Sequence, residues 1–302
     1  MGRSRGERVD GVLLLDKPAG MTSNRALQKA RFLLGARKAG HTGTLDPMAD
    51  GLLPVTLGEA TKFSADLLEA DKSYRATLKL GVTTTTGDAE GEATQHAPVA
   101  VTDAMIEAAL QRFVGAIWQV PPMHSALKRD GRPLYEFARA GIEVERAPRS
   151  ITIGRLQCVG RQGDDLTLEV DCSKGTYVRV LAADIGAALE CGAHLTALRR
   201  TRVGALRVED AASLPALEAM SLEQRRSALG AVDDLLASLR RIDLDETLAG
   251  RFRQGQRLAI DAEPRGRVRV YAPNDELLGT ANVGEWGVVA PERLISNEKA
   301  LS

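Results

Sequence analysis

Residues 40–47 read Gly-His-Thr-Gly-Thr-Leu-Asp-Pro, and the rest of the fold can be ordered around this stretch. The wider segment 38–55 contains three glycines and two prolines, which predicts a structured loop and argues against a long regular element. Within it one carboxylate, Asp46, follows His41 and small polar residues, a grouping typical of functional loops on rigid scaffolds. An aspartate before proline also starts turns and caps helices, so both interpretations of Asp46 stand at this point.

The residues before this loop predict a strand followed by a helix. Residues 12–15 form a short apolar run that ends in a turn beside Lys17, which is typical of a buried strand. Thr22 or Ser23 can cap a helix that stops at Gly35. The loop is therefore expected to follow one strand and one helix.

The residues after the loop continue this mixture of strands and helices. Hydrophobic periodicity predicts strands over 73–80, 151–156, 166–170 and 195–203, and helices from Thr102 and over 176–189. From about residue 244 the sequence pattern changes to short strand-like segments separated by turn residues. This part is predicted to be a small all-β domain, in the form of a barrel.

The composition restricts the class of protein. The chain has 302 residues, with 40 basic and 40 acidic side chains, and no apolar run reaches membrane-spanning length. Three cysteines without a Cys-x-x-Cys pair argue against a disulfide framework and for a reducing cytosol. The four histidines lie far apart in sequence, so no metal-ligand spacing is visible. We expect a cytoplasmic protein without a metal site.

The zero net charge hides basic segments. Residues 173–207 and residues 251–269 each carry six basic side chains and two acidic ones. Such segregation is compatible with RNA-facing surfaces, although ordinary solvated faces give the same pattern. Residues 1–10, with three arginines, are predicted to be a loose basic tail.

Three further candidates for chemistry each have a structural alternative. Tyr74 alternates with apolar residues on a predicted strand, where a core tyrosine with a satisfied hydroxyl is common. Arg179 follows a turn at Gly175 and could simply pair with a surface acid. Residues 87–91 have too few regularly spaced oxygen donors for a metal loop, so an aspartate-bearing turn is preferred. Nothing in these residues alone places any of them beside Asp46.

Five segments together resemble the TruB family of tRNA pseudouridine synthases. The resemblance covers residues 11–204, and each segment alone would be a weak match, whereas five in order at compatible spacing are specific. Met48, Asp50 and Leu52 stand where the family often has Leu, Thr and Val, and the C-terminal part matches only loosely. The five segments are residues 40–47, Lys72-Ser-Tyr74 with 80–88, residues 119–128, Cys172-Ser-Lys-Gly-Thr-Tyr-Val-Arg179 and Leu198-Arg-Arg200.

The resemblance implies an α+β fold of pseudouridine-synthase type. Its central sheet is expected to be mixed, mainly antiparallel and flanked by helices. Residues 11–243 would form the catalytic domain, with an RNA-binding thumb inserted at about 123–149. Residues 244–302 would form a small C-terminal PUA-like barrel that binds RNA.

The resemblance also implies an activity, the isomerisation of uridine to pseudouridine in the T loop of tRNA, at position 55. The expected partner is the T arm of tRNA, with no cofactor, no metal, no membrane and no protein partner, and the enzyme is expected to be a monomer. Asp46, Tyr74 and Arg179 are the implied catalytic residues. The implied substrate-binding residues are His41, Tyr74, Tyr177, Leu198, Asp88 and Lys17.

Two questions stay open at this stage. Asp46 can act covalently, attacking the ribose or the base, or as a base that removes a ribose proton. Arg179 is expected to oppose the effect of burial on the Asp46 pKa, and Tyr74 to stack on the base and take a proton from carbon. The alternative functions are a tRNA-binding or folding factor in which catalysis is dispensable, and a synthase directed to rRNA or by a guide RNA.

Overall fold

The computed structural model describes residues 6–263 and 265–296. Across this described part of the chain, no helix is long and apolar enough to cross a membrane. Residues 1–5 of the predicted basic tail lie outside the description. Residues 7–10 are not a loose tail, because the Glu7 amide donates to the Gly35 carbonyl at 2.7 Å and Val9 is buried.

The strands are numbered in chain order. They are β1 Gly11–Lys17, β2 Ala39–His41, β3 Asp50–Leu57, β4 Lys72–Leu80, β5 Val82–Thr84, β6 Ala93–His96, β7 Gly115–Gln119, β8 Lys128–Arg129, β9 Arg132–Pro133, β10 Arg149–Gln162, β11 Asp165–Cys172, β12 Ala193–Val203, β13 Leu206–Arg207, β14 Ala212–Ser213, β15 Arg240–Asp243, β16 Leu258–Ala259, β17 Gly266–Ala272, β18 Glu276–Val283 and β19 Val288–Leu294.

Several helices begin at a residue whose side chain accepts from a free amide of the first turn. Thr22 accepts from the Arg25 amide at 3.2 Å, and Thr102 accepts from the Met105 amide at 3.3 Å, which confirms both predicted helix starts. The helices are α1 Ser23–Leu33, α2 Ser64–Glu69, α3 Asp103–Gln111, α4 Leu134–Arg139, α5 Val178–Ala188, α6 Leu214–Ala219, α7 Leu222–Ser227 and α8 Glu246–Arg253.

The large sheet is mixed and mainly antiparallel, as the resemblance implied. Its strand order is β14-β1-β3-β12-β4-β11-β10-β7, with β2 beside β3 and β13 beside β12. Two pairings, β1 with β14 and β3 with β12, are parallel. The alternation in β4 places Ala76, Leu78 and Leu80 in a core that α3 and α5 cover. A second core forms where α1 and α6 pack against β1 and β3.

The expectation that segment 38–55 excludes a long regular element is wrong at its C-terminal end. Asp50–Leu57 is an eight-residue strand that contains Pro54. The Pro54 carbonyl accepts from the Thr42 amide at 3.1 Å, on the side of β3 away from its partner residue Leu14. Because the nitrogen and carbonyl of one strand residue point to the same side, the missing N–H of Pro54 removes no bond to β1.

The C-terminal residues form a separate five-stranded half-barrel in the order β15-β17-β18-β19-β16, with its own core. The prediction of an all-β unit is wrong in one respect, because α8 packs Ala249 and Phe252 into this core. The signal was present in the sequence, since Asp245 caps the helix by accepting from the Leu248 amide at 2.8 Å.

Residues 123–149 leave the large sheet between β7 and β10. They contain the β8–β9 hairpin and the short helix α4. Leu134 is buried, whereas the rest of the segment is largely exposed.

Candidate active site

The loop that carries Asp46 connects β2 to β3 and is fixed from two directions. The Ser23 hydroxyl, in the first turn of α1, accepts from the Leu45 amide at 2.8 Å and donates to the Leu45 carbonyl at 2.9 Å. The ammonium of Lys17 donates to the carbonyls of Met21 at 2.6 Å and Pro47 at 3.5 Å. These bonds hold the residues on both sides of Asp46, so its carboxylate has a defined direction.

Arg179 reaches this loop from the first turn of α5. Its Nε lies 2.9 Å from Oδ2 of Asp46, and Nη1 lies 3.4 Å from Oδ2 of Asp88. The Nη2 group donates to the His124 carbonyl at 2.7 Å, which ties the guanidinium to the start of the 123–149 segment. The Arg179 side chain is 6% exposed, whereas that of Asp46 is 37% exposed, so the carboxylate is the member of the pair that faces the cavity.

The start of α5 is fixed by a side chain on β7. Gln119 accepts from the Tyr177 amide at 2.8 Å and donates to the Tyr177 carbonyl at 3.1 Å. A helix beginning has free amides, and Tyr177 offers no side-chain cap of its own. The Gln119 amide group therefore replaces the cap and sets the position of Arg179.

Opposing effects act on the pKa of Asp46. Burial raises the pKa of Asp46 above its usual range, Arg179 opposes this effect, and the charge of Asp88 adds to it. Asp88 itself is buried, accepting from the Thr86 hydroxyl at 2.5 Å and from the Glu90 amide at 3.1 Å. Arg179 thus faces two carboxylates, one fixed in the protein and one open to the cavity.

The opposite wall comes from β4 and β12. Tyr74 and Arg200 are partners across these two strands, and both line the cavity. Burial raises the pKa of Tyr74, and the neighbouring guanidinium of Arg200 opposes that rise. The Tyr74 side chain is thereby kept protonated in the resting site.

The cavity has a volume of about 290 Å³. Five of the predicted site residues line it, namely Asp46, Tyr74, Tyr177, Arg179 and Leu198. Within the described residues no group of three or more His, Cys, Asp or Glu side chains could hold a metal ion. The remaining lining residues are Gly43, Thr44, Leu45, Leu68, Lys72, Ser125, Ala126, Ser173, Gly175, Thr176, Val178 and Arg200.

Three predicted substrate-binding residues are not in the cavity wall. Lys17 supports the loop from behind, and burial lowers its pKa to about 8. Asp88 lies behind Arg179. His41 lies on β2, where its Nδ1 is buried and makes no hydrogen bond to the described residues.

Sequence reasoning missed three residues of the site. Gln119 and Arg200 stand in the resembling segments but were given no role. Lys72 was overlooked although it shares a strand face with Tyr74, two residues away. The Lys72 ammonium donates to the carbonyl of Leu68 at 2.7 Å and that of Ala70 at 2.5 Å at the end of α2, and burial lowers its pKa to about 8.

Comparison with protein families covers almost the whole described chain. Residues 31–178 match the N-terminal domain of the TruB family of pseudouridylate synthases. Residues 179–245 match the C-terminal domain of tRNA pseudouridylate synthase B, and residues 241–295 match the C-terminal region of pseudouridine synthase II TruB.

Individual proteins give the same result. The chain is 59% identical to the tRNA pseudouridine synthase B of Aromatoleum aromaticum, an alignment covering 95% of this chain and 93% of that protein. It is 57% identical to the tRNA pseudouridine synthase B of Dechloromonas aromatica, covering 96% of each chain.

Solved structures are similar over the same extent. A Cbf5–Nop10–Gar1 complex contains a chain of 28% identity with a TM-score of 0.74, covering 94% of this chain and 84% of that one. The archaeal box H/ACA sRNP Nop10–Cbf5 complex gives 26% identity and a TM-score of 0.72, covering 95% and 86%.

Proposed function

The chain belongs to the TruB family of pseudouridylate synthases, and from this premise we propose that it isomerises one uridine in the T loop of tRNA, at position 55, with Asp46 as the essential carboxylate. One observation carries the proposal. Asp46 projects into a cavity, 2.9 Å from a buried arginine and opposite a tyrosine.

The reaction explains why such a site needs no redox group. The bond from ribose to base nitrogen breaks, the base rotates, and a bond to carbon forms. That carbon loses a proton and the freed nitrogen gains one, so the composition and oxidation state of the nucleoside do not change. A carboxylate held against the nucleoside is the essential requirement. Asp46 performs this either as a nucleophile towards ribose or base, or as a base towards a ribose proton.

Arg179 keeps the Asp46 carboxylate ionised in this role. Burial alone favours the protonated form, which is neither a good nucleophile nor a base. The guanidinium at 2.9 Å opposes that effect without blocking the cavity, because it approaches from the protein side. Asp88 holds the other edge of the same guanidinium.

The target base enters the cavity by leaving the folded RNA, which costs a few kcal/mol. Tyr74 stacks on the base and relays the proton from carbon, giving up its own phenolic proton as it accepts that one. Tyr177 and Leu198 form the remaining walls. Stacking of this kind returns about 1–3 kcal/mol per base. His41 fills the position that the base vacates. Lys17 acts on the substrate through the Asp46 loop, and Asp88 acts on it through Arg179.

The domain organisation follows from the same proposal. Residues 11–239 form the catalytic domain and residues 123–149 its RNA-binding thumb. The five-stranded unit that begins at β15, four residues before the predicted boundary, is a PUA-like domain that contacts the T arm. The three free cysteines support a reducing cytoplasm. The enzyme acts as a monomer, because the thumb and the cavity come from one chain.

The decisive experiment replaces Asp46 by Asn, which is nearly isosteric but a far weaker nucleophile and base. Pseudouridine formation in a T-arm hairpin should be abolished. It is measured as the release of tritium from uridine that carries tritium on the base carbon that forms the new bond. Affinity in filter binding should persist or tighten, since a negative charge near RNA is removed. Mass spectrometry must exclude deamidation back to Asp.

The same assay separates the alternatives. A binding or folding factor would retain its RNA-directed function in Asp46→Asn. A synthase directed to rRNA or by a guide RNA would leave the T-arm hairpin unmodified, while rRNA fragments or a guide-assembled substrate would react. Substantial isomerisation of the hairpin by Asp46→Asn would remove Asp46 from the mechanism.

A further inference from the structure

Arg200 is a buried cation that has no role in the proposed mechanism. Its side chain is among the largest fully buried ones, at 1% exposure. The ion pairs made by β12 within the described residues use Arg199 and Arg202, and none uses Arg200. Burying a guanidinium without a carboxylate is costly, so its position calls for an explanation.

The partners of this guanidinium come from three different parts of the site. Nε donates to the Leu52 carbonyl of β3 at 2.8 Å, and Nη2 donates to the Gly43 carbonyl at 3.1 Å, three residues before Asp46. On the other side, Tyr74 is the residue paired with Arg200 across the ladder, and both side chains line the cavity.

The backbone around Arg200 is shaped for this contact. Gly51 is paired with Arg200 in the parallel ladder, and a Cβ at Gly51 would lie 2.3 Å from the Arg200 carbonyl oxygen. Gly51 also has φ of +99°, a conformation that other residues rarely adopt. Glycine at this position therefore allows β3 and β12 to approach closely enough for the guanidinium to reach the Asp46 loop.

We propose that Arg200 is a positioning residue, which fixes the position of the Tyr74 hydroxyl relative to the Asp46 loop across the cavity. This inference rests on the proposed function, because Tyr74 and Asp46 are the reacting groups of that function. It assigns Arg200 no contact with the substrate. A guanidinium is a planar fork of donors with no acceptor. Any hydrogen bond between the two side chains therefore runs from Arg200 to the Tyr74 oxygen.

The surroundings explain why arginine rather than lysine occupies the position. The charged and titratable groups near Arg200 are Tyr74 and Lys72 on β4, His41 on β2, and Lys17 on β1. The pKa of each buried lysine falls to about 8, with burial as the main cause. Arginine stays charged in such surroundings and keeps its donors in one plane.

The test replaces Arg200 by Lys and measures single-turnover conversion of a T-arm hairpin together with its dissociation constant. The single-turnover rate at saturating enzyme should fall about tenfold or more, because small displacements of reacting groups are costly. The dissociation constant should change by less than about threefold, since phosphate contacts are untouched. Arg199→Lys, on the same strand and partly exposed, is the matched control and should retain the wild-type rate.

A double-mutant cycle distinguishes positioning from general damage. If Arg200 acts through the Tyr74 hydroxyl, Arg200→Lys should add little to the defect of Tyr74→Phe. A wild-type rate in Arg200→Lys, or full additivity of the two defects, would overturn the proposal. Failure of the proposed function is a separate result, seen as activity in Asp46→Asn.

The proposal remains testable if Arg200→Lys does not fold. Circular dichroism and the melting temperature will show whether Arg200→Lys is native. If it is not, Arg200→Gln is measured in its place, because it keeps an amide donor and removes the planar fork of the guanidinium. A loss of single-turnover rate with unchanged affinity in Arg200→Gln supports the proposal, and retention of the wild-type rate overturns it.

Discussion

Two arginines of the large sheet region each bind two aspartates, in opposite surroundings. Arg179, 6% exposed, lies 2.9 Å from Asp46 and 3.4 Å from Asp88. Arg199, 39% exposed, lies 2.8 Å from both Asp16 and Asp50. The exposed cluster has the shorter contacts, yet water screens its charges.

The two clusters differ in burial more than in contact distance, and burial is the property that the proposed mechanism uses. In the Arg199 cluster all three side chains are partly exposed. In the Arg179 cluster two groups are enclosed and only the Asp46 carboxylate is open, so the field of the cation acts on one reactive group.

Removal of each arginine should separate the clusters most clearly. Arg179→Ala leaves a buried carboxylate without its cation, so the free energy of unfolding should fall by about 3–5 kcal/mol. Arg199→Ala removes an exposed pair and should cost about 0–1 kcal/mol. Urea denaturation of both variants checks this expectation. Equal losses in the two variants would show that burial does not distinguish the clusters.

Arg179→Lys tests the geometry of the buried cluster while retaining a positive charge. A lysine cannot present the planar fork that faces Asp46 and Asp88 together. Turnover should fall more than RNA affinity, as measured by single-turnover rates and filter binding. Arg199→Lys is the control, and a similar loss in both variants would contradict the comparison.

The pH dependence of turnover tests the influence of Asp88. Asp46 must be ionised to react, and burial raises its pKa, so the acidic limb of the rate profile should lie above the ordinary aspartate range. Asp88→Asn removes a charge that raises the pKa of Asp46, and the limb should therefore move to lower pH. Asp50→Asn in the exposed cluster should leave the limb in place. An unmoved limb in Asp88→Asn would rule out this coupling.

The smallest effect is expected at the C-terminal arginines. Arg253 lies 2.7 Å from Glu276, and Arg267 bonds to Asp66 and Glu292, so both are engaged with carboxylates. Arg257 and Arg265 are exposed and more suited to phosphate. Replacing either of these two by Ala should lower the slope of log affinity against log salt by about one. Arg253→Ala should leave that slope unchanged, and the reverse order would contradict the assignment.

The half-barrel and the large sheet also differ in how well the sequence predicted them. Strand positions in both follow from local alternation, and the structure extends most of the predicted strands by a few residues. The helix α8 was missed because its apolar positions lie in a segment interpreted as strands. Pro54 was given too much weight, since only the ladder shows that its nitrogen lies on the side of β3 away from β1.

The sequence by itself determined the elements, the family and the residue types of the site, because periodicity, caps and the five ordered segments are local features. Only the tertiary structure decided which side chains meet. The contact of Asp46 with Arg179 spans the chain from the loop after β2 to the start of α5, and the pairing of Tyr74 with Arg200 depends on β4 and β12 being neighbours. Such contacts arise from strand order and register, which a local pattern does not encode. Burial is likewise a property of the assembled sheet and helices, and it separates the enclosed Arg179 cluster from the partly exposed Arg199 cluster.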